Sequence, residues 1–186
     1  DLTCRIQSEA KLQKASTDIV RQAAVYYAMN NRKNAPLDWM KTLSWDNEPR
    51  IDKFFATYIG ADDNTYTAAV SKNFWVSMVA RVSKPGCKCD TMTILEGKQG
   101  AGKSTAMKII GQDYYMESNE SVQSKDFYQS LQGKFLIEIS ELDSFHRSEV
   151  NAIKRCLSSP VDRMRQSYAR YAKDFPRRSI FVGTTN

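Results

Sequence analysis

The sequence is short of the residues that build resident metal centres. His146 is its only histidine, and its four cysteines are Cys4, Cys87, Cys89 and Cys156. Cys87 and Cys89 stand one residue apart, and no Cys/His pair follows at zinc spacing. Free thiols in a reducing cytoplasm are the simpler reading. No apolar run approaches the ~20 residues of a membrane-spanning helix, so no membrane partner is expected. The first residues, Asp1-Leu2-Thr3-Cys4-Arg5, carry no signal-peptide pattern. They also lack an initiator methionine, so a fragment or a processed chain is expected, and the other end is as abrupt. Internal repeats and low-complexity tracts are missing too. A cytoplasmic protein is expected.

What is present is enough for a buried core: 41% of the 186 residues are hydrophobic, so composition gives no sign of disorder. The net charge of +6 is uneven. Residues 144–186 hold nine Lys/Arg against Glu149, Asp162 and Asp174, while the rest of the chain holds 18 of each sign. A surplus confined to one segment suits a polyanion partner, against the plainer reading of a solvated face.

One stretch organises the chain. An apolar run through Met92–Leu95 leads into Gly97-Lys98-Gln99-Gly100-Ala101-Gly102-Lys103-Ser104-Thr105. This is the phosphate-loop spacing G-x-x-x-x-G-K-S/T. Glycines let successive backbone N–H groups turn toward a phosphate, and the positive end of the next helix lies at the same point. Gly97 to Thr105 are therefore the expected nucleotide-binding residues. Lys103 is expected on the β- and γ-phosphates and the Ser104 hydroxyl on Mg²⁺, with ATP as the ligand. Residues 104–110 read as the helix, stopped by Gly111.

Before this loop the chain reads as predominantly helical. Residues 8–31 read as a helix, with Ile19, Val20, Ala23, Ala24, Tyr27 and Ala28 near a 3.6-residue period; a short helix fits 37–43, and an amphipathic one fits 51–59 up to Gly60. Asp62-Asp63-Asn64 then caps a helix over 65–82, which Pro85-Gly86 ends. After the loop, strands are expected at 114–116, 135–140 and 179–183, with helices at 126–131 and 149–157. Strands alternating with helices indicate an α/β fold with a mostly parallel sheet. The expected division is a helical subdomain, 1–84, before a P-loop ATPase core, 85–186.

A phosphate loop needs a carboxylate from a buried strand. Phe135–Ser140 ends at Glu141, expected to activate water and to share Mg²⁺ with Ser104. Asp143 competes for the role. Glu138 interrupts the apolar run, and by strand alternation it faces away from Glu141; an exposed or ion-paired residue is the preferred reading. The last strand opens into Thr184-Thr185-Asn186, where Asn186 can lie between the other two strands and orient the attacking water. Lys103, Glu141 and Asn186 thus form the expected catalytic set. Arg163, Arg165, Arg170 and Lys173, interleaved with Tyr168 and Tyr171, suit single-stranded nucleic acid. An arginine finger and a solvated hairpin or loop remain alternatives.

These segments together resemble the virulence-associated protein E (VapE-like) family of phage and pathogenicity-island proteins, related to superfamily 3 helicases and primase-helicases. The likeness lies in Leu43-Ser44-Trp45-Asp46 with Pro49-Arg50, Tyr58-Ile59-Gly60-Ala61, Val79–Val82, Pro85–Asp90, Leu95–Gly100, Glu138–Asp143, Phe175–Arg178 and Gly183–Asn186. It implies an AAA+-like ATPase core, a ring-forming tendency and a role in mobile-element DNA replication on single-stranded or forked DNA. It also implies basic residues beyond Asn186 that complete the ATP site between subunits. The leading expectation is an ATP-driven DNA helicase or translocase. The alternative is an assembly module that binds ATP without unwinding.

Overall fold

A computed structural model describes residues 2–9, 14–165 and 171–186. The chain forms two compact units, Asp1–Asn34 and Ala35–Asn186. In the first, the helix expected over 8–31 is two helices, α1 (Leu2–Glu9) and α2 (Thr17–Asn30). The physical reason is a cap: the Ser16 hydroxyl accepts the Ile19 N–H at 3.3 Å, which starts α2 afresh. At its other end the Asn31 side chain donates to the Tyr27 carbonyl at 2.8 Å.

The second unit begins with α3 (Ala35–Thr42) and a turn of π-helix (Phe55–Ile59) that replaces most of the amphipathic helix expected at 51–59. Between them, Asp46 accepts the Glu48 N–H at 3.1 Å and an Arg50 guanidinium N–H at 2.8 Å. That bond to Arg50 holds the Asp46 carboxyl down at about 2. Helix α4 (Thr65–Ser83) starts at Asn64, whose side chain accepts the Thr67 N–H at 2.9 Å. Its buried residues Ser71, Phe74, Met78, Arg81 and Val82 follow the helical period.

Four strands, β1 (Thr93–Glu96), β2 (Tyr115–Ser118), β3 (Leu136–Ile139) and β6 (Ile180–Thr185), form a sheet in the order β1-β6-β3-β2. All of its pairings are parallel. The α/β class with a parallel sheet therefore holds. Parallel sheets are covered on both faces, which explains the unbroken apolar runs of β3 and β6. On one face Leu136, Ile180 and Val182 join Phe74, Met78 and Val82 of α4 and Met107 of α5 (Lys103–Gly111). On the other, Ile137, Ile139 and Phe181 pack with Phe127 of α6 (Lys125–Ser130) and Ala152, Ile153 and Leu157 of α7 (Arg147–Ser158). Each of these side chains larger than that of Ala152 is worth ~1.5–3 kcal/mol over its exposed state. The compact units divide after Asn34 rather than at the expected 84/85, because α4 contributes its apolar stripe to the sheet's own core.

Between α7 and β6 lies an antiparallel pair, β4 (Val161–Met164) and β5 (Lys173–Pro176). Its base is fixed by a buried ion pair: the Arg177 guanidinium lies 2.6 Å from Asp162, donates to the Cys156 carbonyl and covers the Phe181 ring at 5.3 Å. Among the described residues, no helix is long and apolar enough to cross a membrane.

Candidate functional site

Parallel pairing brings the carboxyl ends of β1, β6 and β3 to one edge, and the Gly97–Gly102 loop leaves β1 there. Gly100 and Gly102 adopt φ of 77° and 85°, a left-handed backbone that a Cβ disfavours. Gly102 has no side chain to cap α5, so the helix starts at Lys103 with its first N–H groups uncapped by that residue. The positive end of the helix dipole is thus presented at the loop.

Within the loop, the Lys103 ammonium donates to the carbonyls of Gly97 and Lys98 and reaches Asn186 Oδ1 at 3.4 Å. Topology makes that last contact: β6, last in sequence, lies between β1 and β3. Asn186 therefore stands where a strand between the other two delivers it.

Glu138 is the correction. Expected as an exposed or ion-paired strand residue, it has 0% exposure. It lies in the middle of a sheet covered on both faces, on the same side as Leu136 and Val182, so alternation turns it inward under α5. Its Oε1 accepts the Ser104 hydroxyl at 2.6 Å and the Thr184 hydroxyl at 2.7 Å. Its Oε2 accepts the Tyr115 phenol at 2.8 Å. Burial and this carboxylate push the Tyr115 phenol well above its ordinary range, which keeps it a donor.

Glu141 lies beyond the strand, exposed, with φ 56° and ψ 42°. That left-handed backbone is rare without glycine, and it redirects the chain into the short helical turn Leu142–Ser144. Asp143 accepts the Thr185 hydroxyl at 3.2 Å.

Two cavities flank the loop. The first, about 350 Å³, is lined by Gln99 to Thr105, Glu117, Ser140, Glu141 and Thr184 to Asn186. The second, about 420 Å³, shares Ala101, Gly102 and Lys103 and is otherwise walled largely by Tyr58, Ile59, Gly60, Leu95 and Ala106. The loop thus separates a polar chamber that carries Glu117 and Glu141 from a more apolar one that carries Glu96. Of the expected loop residues, Gly97 lines only the second and Lys98 lines neither.

Of the expected nucleic-acid residues, Arg163, Arg165 and Lys173 line neither cavity. Arg163 and Lys173 are on the β4–β5 pair, where Arg163 meets Asp174 at 3.3 Å. The Arg165 carbonyl accepts from Gln129 at 3.1 Å. Arg170 and Tyr168 lie outside the described residues.

Sequence reasoning passed over Tyr115 and Thr184 and undervalued Glu138. For Glu138 a signal existed: an acid inside a run whose neighbours are all buried requires partners. Tyr115 left none, since its link to Glu138 depends on the β2–β3 register.

A parallel α/β sheet with a glycine loop at its carboxyl edge and a buried acid beneath the loop's helix defines the class of protein. Residues 40–186 match the Virulence-associated protein E-like domain, and the chain belongs to that family. Among solved structures it is similar to "The apo structure of NrS-1 C terminal region (305-718)", with TM-score 0.51, 17% identity and coverage of 76% of this chain and 35% of that one. It is equally similar to "The A form apo structure of NrS-1 C terminal region-CTR", with TM-score 0.51, 17% identity and coverage of 76% and 34%. At that identity the likeness shows the fold, and the chain spans about a third of those structures' length. No curated protein matches it.

Proposed function

We propose that this chain carries an ATP-hydrolysing site and serves as the motor core of a helicase or translocase in phage or mobile-element DNA replication. The observation that carries the reading is the 2.6 Å bond from Ser104 of the glycine loop to the buried Glu138. A hydroxyl at a helix start and a carboxylate under it form a hard-oxygen pair of the kind Mg²⁺ selects. Ser104 and Glu138 would hold the ion that accompanies the nucleotide, in place of Ser104 and Glu141. When bound, Mg²⁺ would neutralise charge on the phosphate oxygens.

The chain's own groups supply the rest. The loop amides and the start of α5 bind phosphate, as helix N-termini do. Lys103, now satisfied by two carbonyls and Asn186, exchanges them for phosphate oxygens. In the polar chamber, exposed Glu141 takes a proton from the attacking water, and Asn186 orients that water. The more apolar chamber beside Tyr58 and Ile59 receives the nucleoside. Arg163, Arg165, Arg170 and Lys173 bind the phosphates of single-stranded or forked DNA. Family likeness supports the replication role and the ring.

The test is ATP hydrolysis by the complete protein with and without single-stranded DNA. Hydrolysis stimulated by DNA and abolished by Lys103→Ala is expected. Normal hydrolysis by Lys103→Ala sinks the site. ATP binding with assembly but without hydrolysis or strand separation favours the assembly module.

A further inference from the structure

We infer that Tyr115 is a positioning residue for the Mg²⁺-nucleotide site, acting through Glu138. The inference rests on the proposed nucleotide site and goes beyond it, since Tyr115 lies on β2, outside the loop and both other site strands.

Glu138 is served by one hydroxyl from each structure around it. The loop helix supplies Ser104, β6 supplies Thr184 and β2 supplies Tyr115. The division between oxygens matters. Ser104 and Thr184 both donate to Oε1, while Tyr115 donates to Oε2 at 2.8 Å. A carboxylate can turn about its last torsion. The Tyr115 bond fixes Oε2 and so keeps Oε1 turned toward Ser104. While the Ser104 proton stays on Oε1, the lone pairs of its oxygen face outward, available to a cation.

Tyr115 is itself held. Gly111, at the end of α5, lets the chain pass so closely that a Cβ there would lie 2.6 Å from the Tyr115 Cβ. The same side chain packs with the core on the α5 face of the sheet. Its ring position is therefore set by packing, and its hydroxyl by that ring. Outer partners that orient a metal's ligands commonly account for about 10–100-fold in metal affinity.

The experiment measures binding of a non-hydrolysable ATP analogue to the complete protein across Mg²⁺ concentrations and in EDTA, for wild type, Tyr115→Phe and Tyr114→Phe. Tyr115→Phe is expected to need about 10-fold more Mg²⁺ for half of the metal-dependent gain, with binding in EDTA unchanged. Tyr114→Phe, whose ring packs on Trp39 and Phe135, is expected to match wild type. In a Glu138→Gln background, Tyr115→Phe is expected to add nothing, because its effect passes through the carboxylate. An unchanged Mg²⁺ requirement, an equal loss in EDTA, or a full additional loss in the Glu138→Gln background overturns the inference. A wild type whose nucleotide binding ignores Mg²⁺ overturns the nucleotide-site reading and this one with it. Thermal unfolding of each variant shows that the fold is kept.

Discussion

Glu138 and Glu141 are three residues apart and have opposite surroundings. The first is sealed at 0% exposure under three hydroxyl donors; the second is exposed at the chamber wall. Burying a carboxylate is costly unless hydrogen bonds replace water, and here they do. The two acids should therefore fail differently. Glu138→Gln puts an amide N–H₂ among donors and should remove most of the Mg²⁺-dependent gain in nucleotide affinity. Glu141→Gln should leave that affinity intact and slow turnover by about 10²–10⁴-fold, the usual worth of a general base. Calorimetric titration with Mg²⁺-nucleotide, set beside turnover, separates them; equal binding loss in both variants would contradict the division of labour.

At the scale of elements, the helical signals were legible where caps and period agreed. Asn64 and the apolar spacing after it mark α4, and the start of α5 follows from Gly102-Lys103. The break between α1 and α2 was missed because Ser16 reads as the inside of one helical stretch, although the periodic residues, Ile19 to Ala28, all follow it. The β4–β5 pair was open as a hairpin or loop. Its anchor is the Arg177–Asp162 pair, 15 residues apart, and no local pattern signals it. Gly111 shows the same limit. It reads as a helix stop, and its backbone is ordinary helix at φ −82°. Its real constraint is the approach of Tyr115. Gly111→Ala should destabilise the fold by about 1–3 kcal/mol, the range for overpacking. Urea unfolding should show a lowered midpoint with an unchanged slope.

For the whole molecule, both apolar clusters are built from residues 37–182, on the two faces of one sheet. Residues 35–186 should therefore fold without the first unit. Produced alone, that segment should unfold in a single cooperative transition by calorimetry and circular dichroism. A non-cooperative transition would mean that the first unit completes the core.

By itself, the sequence determined the chemistry on offer. The glycine spacing, Lys103 and Ser104 follow from local rules, because a phosphate loop is built by consecutive backbone groups. The α/β class follows from alternating apolar runs and helical periods. Tertiary structure decided which groups meet. Parallel strands do not record their lateral order in sequence, so only the fold placed β6 between β1 and β3 and set Asn186 beside Lys103, 83 residues away. The same register turned Glu138 inward, gave it Ser104, Thr184 and Tyr115, and left Glu141 at the surface. Side-chain direction in a strand alternates with every residue, so where the strand ends decides which acid is buried.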